Sequence, residues 1–387
     1  MLKNIGRNNQ LYMLTNFLFA FGTGLWLNLR PLYLADLGAA PKQIGLALAI
    51  GGFSAGVLPI PAGIISDRFG PRRVIIFSWL VALLGAVLTA LAPTWQFATL
   101  GIVVWSLTLA ANPAVTTFVM LSMPAELRGE NLEKAFSWVF RVWPFAMLFA
   151  PAVGGWVANR WGIRMDLWIG GITYLVAMLI FFMTVEVRAE KITTKFQFAN
   201  LRKNRNYWVL AGFFAVLILA QQIGYSLLPN FLEDVGGFSQ AQIGVLFSVS
   251  FLGAFMGNIL VARVQPRTGF IILMIASWVG MLLLLAPTQP FLAGVAFFLF
   301  GSLTTMWLIK AASSGRAVSV ADQGIAFGLI ESLSFMAASA AAGIAGVLYD
   351  ASPMHTLPIL ASTIGIPLVY VGWVLIVKPL TGEPRQL

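Results

Sequence analysis

Residues 63–73 read GIISDRFGPRR, a charged loop wedged between two long apolar runs. Asp67 stands where a membrane helix is expected to end, and Arg68, Arg72 and Arg73 follow within six residues, interrupted by Gly70 and Pro71. Elsewhere the chain avoids charge: 59% of its 387 residues are hydrophobic, 10% are charged, and the mean hydropathy is +0.86. A soluble domain carries about 25% charged residues, so this composition reads as an integral membrane protein. The sequence has no cysteine, which excludes disulfides and thiolate metal or redox sites. One histidine, His355, leaves too little for a metal centre or a histidine-based triad. The apolar stretch after Lys3 and Arg7 exceeds a signal-peptide core and reads as a retained first span.

About 20 apolar residues cross the hydrocarbon core of a bilayer. On that basis the sequence predicts an all-α protein of 12 transmembrane helices, near 10–34, 43–66, 72–92, 96–122, 134–158, 167–185, 207–229, 240–262, 268–286, 290–313, 323–349 and 355–378. Placing the N-terminus in the cytoplasm puts eighteen Lys and Arg residues inside and only Lys42, Arg160 and Arg164 outside. That asymmetry follows the positive-inside rule and sets both termini in the cytoplasm. It also explains the net charge of +10, which lies in short connectors and gives no nucleic-acid-binding face. The basic stretch 186–206 is the longest polar segment and reads as a cytoplasmic linker between halves 1–185 and 207–387.

The two halves repeat. PLYLADLG at 31–38 aligns with PNFLEDVG at 229–236, and each is followed by Gln-Ile-Gly, at 43–45 and 242–244. DRFGPRR at 67–73 has a worn copy, ARVQPRT at 262–268, in which Asp67 becomes Ala262. AFS at 135–137 matches AFG at 326–328, each opening the fifth helix of its half. Three matches in the same order indicate a duplicated six-helix unit.

The pattern G-x-x-x-D-R-x-G-x-R-R, from Gly63 to Arg73, resembles the loop between helices 2 and 3 of the major facilitator superfamily. The resemblance covers essentially the whole chain. It implies two pseudo-symmetric six-helix bundles, with a small-molecule site at the midplane between them. It further implies a monomer in the lipid bilayer that works by alternating access, with no cofactor beyond a proton gradient. In that family the aspartate docks near the start of helix 11, here near Asp322, a residue suited to an N-cap. Helix 2 points its negative dipole end at Asp67, which disfavours a carboxylate by roughly 0.3–1 kcal/mol. The implied role of Asp67 is a latch between halves, with Arg68 and Arg72 tying it to neighbouring helices and lipid phosphates. The alternative is a topology anchor, for which the arginines alone suffice.

APAVGG at 150–155 resembles the G-P-x-x-G-G motif of drug–proton exporters in this superfamily, with alanine in place of the first glycine. Pro151 is expected to bend the helix, and Gly154 and Gly155 to admit another helix closely. Ordinary small-residue packing is the alternative. Helix 4 of these exporters carries an arginine, whereas residues 96–122 contain none.

Four ionisable residues lie away from the predicted span ends and loops: Arg30, Arg141, Lys310 and Glu331. A charge at the bilayer centre costs about 2.5–3.5 kcal/mol on insertion scales, so each is expected to face a cavity or a partner. Glu331 is the acidic candidate for carrying a proton, and a static ion pair with Lys310 is the alternative. Helices 1, 4, 7 and 10 line the cavity in the family, and here they offer Asn28, Arg30, Asn112, Gln221, Gln222, Tyr225, Thr304 and Trp307. The reading is a proton-coupled secondary transporter of a small amphipathic organic solute, in the manner of drug efflux. The alternative is a proton-coupled transporter of an organic anion such as a monocarboxylate. A membrane-embedded sensor or a lipid-modifying enzyme is remote, because no sensing domain, metal cluster or nucleophile–base pair appears.

Overall fold

The computed structural model describes residues 5–57, 70–124, 127, 132–187, 198–318, 323–352 and 354–374. Gly63, Asp67, Arg68 and Asp322 lie outside the described residues. Among the described residues all regular structure is helical. Eight helical stretches there are long and apolar enough to cross a membrane: Pro71–Ala90, Trp95–Leu121, Trp138–Trp161, Ile163–Phe181, Arg205–Asp234, Gln240–Val261, Pro290–Trp307 and Ile325–Ala351. Arg267–Leu283 and Leu357–Gly372 are shorter apolar helices. Twelve spans were expected from the sequence. The first helix begins with the polar run Arg7, Asn8, Asn9 and Gln10, and the second is described only to Val57.

Proline breaks several spans into pieces. The first consists of α1 (Arg7–Trp26), a 3-10 turn at Leu27–Leu29, and α2 (Arg30–Asp36). Pro31 has no N–H to give to the Leu27 carbonyl one turn earlier, and the Arg30 Nε donates to that carbonyl instead, at 2.8 Å. After α3 (Pro41–Val57) and α4 (Pro71–Ala90) comes a span made of α5 (Trp95–Ser106), a 3-10 turn at Leu107–Ala111, and α6 (Asn112–Leu121), with Pro113 at the junction. The next span, expected as one helix, is three: α7 (Leu132–Phe140), α8 (Val142–Met147) and α9 (Ala150–Trp161), with Pro144 and Pro151 near the starts of the later pieces. It is followed by α10 (Ile163–Phe181).

The remaining helices are α11 (Phe198–Lys203), α12 (Arg205–Tyr225), α13 (Leu228–Asp234), α14 (Gln240–Val261), α15 (Pro266–Leu283), α16 (Pro290–Arg316), α17 (Gln323–Ala351) and α18 (Leu357–Gly372). The chain divides into two compact units that exchange short pieces. The first comprises Met1–Ala39, Val57–Ile192 and Phe238–Ser248; the second comprises Ala40–Gly56, Thr193–Gly237 and Val249–Leu387. Thus α3 belongs to the second unit and the start of α14 to the first.

In the first unit α1 packs on α10, and α10 on α4. Phe19, Trp79, Tyr174 and Phe181 fill the seam, with ring centroids 4.6 Å apart for Phe19–Tyr174 and 5.0 Å for Trp79–Phe181. The described end of the charged loop is stapled to the segment after α10. Arg72 donates from Nε to Thr184 Oγ1 at 3.1 Å and from Nη2 to the Phe182 carbonyl at 2.8 Å. Asn8 closes the same segment reciprocally with Val185, at 3.0 and 2.9 Å. Gly70, with φ of 88°, turns the chain into α4, and a Cβ there would stand 2.6 Å from Glu186 Oε1. The Arg73–Glu186 pair, at 3.9 Å with an exposed arginine, adds little. In the second unit α12 packs on α17 and α18, joined where Ser362 Oγ accepts from the Gly224 N–H at 2.7 Å and donates to the Ala220 carbonyl at 2.6 Å.

Candidate functional site

Among the described residues of the second unit, one polar constellation is built from two helices that each contribute residues three apart, and so on one face. Helix α16 supplies Trp307 and Lys310, and α17 supplies Glu331 and Ser334. Lys310 is buried, and its Nζ lies 2.8 Å from Glu331 Oε1. Trp307 Nε1 donates to the same Oε1 at 2.7 Å. Lys310 also donates to Ser334 Oγ at 2.9 Å, and Ser334 passes its own proton to the Ile330 carbonyl at 2.6 Å. Both donors converge on Oε1.

Arg141, grouped with this pair in the sequence reading, lies in the first unit. It is exposed at the junction of α7 and α8, with its guanidinium 5.2 Å from the Trp138 ring. Gln221 is buried and donates to Ser277 Oγ at 3.4 Å, while its neighbour Gln222 is half-buried. Tyr225 sits edge-on to Phe300 at 5.9 Å. Thr304 and Asn112 are exposed, whereas Thr305 is buried and bonds the Ala254 and Gly301 carbonyls.

The first unit carries a network that sequence reading did not assemble. The Tyr174 hydroxyl oxygen accepts from Trp26 Nε1 at 3.1 Å and from Trp105 Nε1 at 3.3 Å. It lies 3.0 Å from Thr23 Oγ1, and Thr23 donates its proton to the Phe19 carbonyl at 2.8 Å. Tyr174 must then donate to Thr23, which saturates its hydroxyl. Both indole N–H groups are consumed, and Trp26 and Trp105 meet edge to face at 5.2 Å. The Arg30 guanidinium carbon lies 5.9 Å from each of their ring centroids.

Asp166 was also missed. The sequence places it just before a span starting at residue 167, but α10 starts at Ile163 and buries Asp166 completely in its first turn. Neither carboxylate oxygen has a hydrogen-bond partner among the described residues. A carboxylate near a helix start reads as a cap, so its burial left no trace in the sequence. Asp166→Asn keeps the shape and removes the ionisable group. It is expected to raise the melting temperature at neutral pH by a few degrees, about 1 kcal/mol. A fall of that size would contradict an uncompensated carboxylate.

The APAVGG glycines face two different helices. Gly154 lies on the Leu25 backbone of α1, and Gly155 lies on Gly244 of α14. A Cβ at either Gly155 or Gly244 would stand 2.8 Å from the other's Cα, and the Gln240 and Pro151 carbonyls close the remaining space. The second unit contains the equivalent crossing. A Cβ at Gly45 of α3 would stand 2.7 Å from the Gly346 Cα and 2.6 Å from the Ala342 carbonyl, while one at Gly346 would meet the Pro41 carbonyl at 2.7 Å. The repeat relates the two residue by residue. The shift that takes Ala135 to Ala326 takes Pro151 and Gly155 to Ala342 and Gly346; the shift between the Gln-Ile-Gly copies takes Pro41 and Gly45 to Gln240 and Gly244. Each crossing carries a serine bond, from the Ala152 N–H to Ser248 Oγ at 3.0 Å and from Ser339 Oγ to the Ala49 carbonyl.

Known proteins share this chain's sequence pattern and fold. The Major Facilitator Superfamily profile matches residues 12–303. The chain is 22% identical to the quinolone resistance protein NorA of Staphylococcus aureus (strain MSSA476), over 96% of this chain and 97% of that one. It is 24% identical to a probable 4-methylmuconolactone transporter of Cupriavidus pinatubonensis (strain JMP 134), over 69% of this chain and 64% of that protein's length. Its fold matches the crystal structure of the nucleoside transporter NupG with a TM-score of 0.76 at 16% identity, covering 98% of this chain and 100% of that one. The chain is a multi-pass membrane transporter rather than an enzyme, and it belongs to the major facilitator superfamily.

Proposed function

We propose that the chain is a secondary active transporter that moves a small amphipathic organic solute by alternating access, driven by the proton gradient. It would do so with twelve spans in two six-helix halves, 1–185 and 207–387, and with both termini in the cytoplasm. The observation that carries the coupling is the Lys310–Glu331 pair, whose carboxylate holds Lys310 and Trp307 on one oxygen and leaves the other for a proton. Protonating Glu331 leaves Lys310 charged without a counter-charge, held by the neutral carboxyl and Ser334. An unpaired charge in that setting is costly, and rearrangement of α16 against α17 relieves it. The similarity to NorA over nearly the whole chain supports export of drug-like compounds by antiport. The test is flux in proteoliposomes under an imposed proton gradient, with a cationic dye and with a monocarboxylate. Gradient-dependent movement of either supports the reading, and movement of neither contradicts it.

The charged loop supplies the cytoplasmic latch in this reading. Arg72 ties the start of α4 to the segment after α10, while Asp67 itself lies outside the described residues. Asp67→Asn is expected to shift the protein toward an inward-open state. Cysteine-accessibility labelling that shows unchanged cytoplasmic exposure would sink the latch.

A further inference from the structure

Arg30, in the first predicted span, has no counter-ion among the described residues. The ion pairs among the described residues are Arg73–Glu186 and Lys310–Glu331, and neither involves it. Its surroundings hold it in place rather than neutralise it. Nε is pinned to the Leu27 carbonyl that Pro31 leaves free, and the guanidinium lies 5.9 Å from the rings of both Trp26 and Trp105. Those rings are fixed in turn because both of their N–H groups are committed to Tyr174. This leaves the Nη1/Nη2 end of the fork, with no hydrogen bond to any described residue. Two residues away, on the 3-10 turn at Leu27–Leu29, the Asn28 Nδ2 is buried and also lacks a partner. Residues two apart do not share a helix face, so the Arg30 fork is the set of donors left open.

Donors without acceptors select an anion. With Nε occupied, the fork offers two parallel N–H groups end-on, the geometry that receives the two oxygens of a carboxylate. A single positive charge matches a monoanion, and a phosphate dianion would remain half-uncompensated. We propose that Arg30 forms the recognition point for the carboxylate of the transported solute, which makes the substrate class an amphipathic organic monocarboxylate. The inference rests on the transporter reading above and narrows its cargo. The Leu27 carbonyl and the two indoles fix the guanidinium, so lysine, lacking the planar fork, is a poor replacement.

The test is equilibrium binding of radiolabelled benzoate to the full-length protein in phosphatidylcholine nanodiscs, with benzamide as the uncharged control. Benzoate is expected to bind saturably and benzamide not to compete. Arg30→Gln should weaken benzoate binding about ten- to hundred-fold, the effect of losing charge-assisted hydrogen bonds, and Arg30→Lys about tenfold. Equal competition by benzamide, or undiminished binding to Arg30→Gln, overturns the proposal, and the benzamide arm holds even where a variant fails to fold. A lipid headgroup is the rival monoanion. If benzoate does not bind, while added phosphatidylglycerol raises the melting temperature of wild type but not of Arg30→Gln, the site belongs to lipid and the proposal falls. Proton-driven dye flux without benzoate binding removes this inference and leaves the transporter reading intact. Benzoate binding without any flux keeps the carboxylate site and removes the transporter reading, and with it the site's role in transport.

Discussion

Glu331→Gln is expected to reduce pH-driven accumulation to the level of protein-free liposomes while substrate exchange across the membrane continues. The glutamine cannot take a proton, yet its amide oxygen still accepts from Trp307, so the binding-competent shape is retained. Lys310, which sits 2.8 Å from Glu331 Oε1 and is buried, loses its counter-charge. Glu331 is part exposed, so the cost falls below the roughly 3–5 kcal/mol of a fully buried pair, and part of the loss in the single variant reflects instability. Lys310→Met combined with Glu331→Gln removes both charges and separates the effects. The double variant should recover most of the melting temperature and none of the proton coupling. Intact pH-driven uptake in Glu331→Gln would remove Glu331 as the proton carrier.

The second large effect concerns the glycine crossings. Gly155→Leu and Gly346→Leu should each cut transport to background and lower the melting temperature, with overpacking costing roughly 1–3 kcal/mol. The first Cβ alone would already stand 2.8 Å from Gly244 at one crossing and 2.9 Å from Gly45 at the other. The nearest neighbours are backbone atoms rather than flexible side-chain tips, so the helices themselves have to separate. Alanine should give an intermediate loss at both positions, and the repeat predicts that matched substitutions give matched losses. Transport by either leucine variant at the wild-type rate would contradict the close approach.

Much of this was visible in the sequence, because composition and repeats survive without partners. The apolar excess read as membrane helices, and the duplicated Gln-Ile-Gly at 43–45 and 242–244 marked two equivalent helices. Gly155 was legible as a close-packing residue, but its partner Gly244 was not, since sequence gives no pairing between distant helices. The Lys310–Glu331 alternative was also legible, from matching depth on adjacent spans, whereas the convergence of Trp307 and Lys310 on one oxygen needed coordinates. Helix breaks were partly hidden. Pro31, Pro144 and Pro151 were in view, but a continuous apolar run looks like one helix even when its backbone bonds are interrupted. Tyr174 looked like one aromatic among many, and only packing brings Trp26, Trp105 and Thr23 to its hydroxyl.

Proton-coupled transport through Glu331 is tested most directly by recording internal pH with a trapped fluorescent indicator in proteoliposomes when substrate is added without any imposed gradient. The account predicts a substrate-dependent pH change with the wild-type protein and none with Glu331→Gln, although labelled substrate still exchanges in both. Substrate movement by the wild type with no accompanying pH change, or an equal pH change with Glu331→Gln, would contradict it.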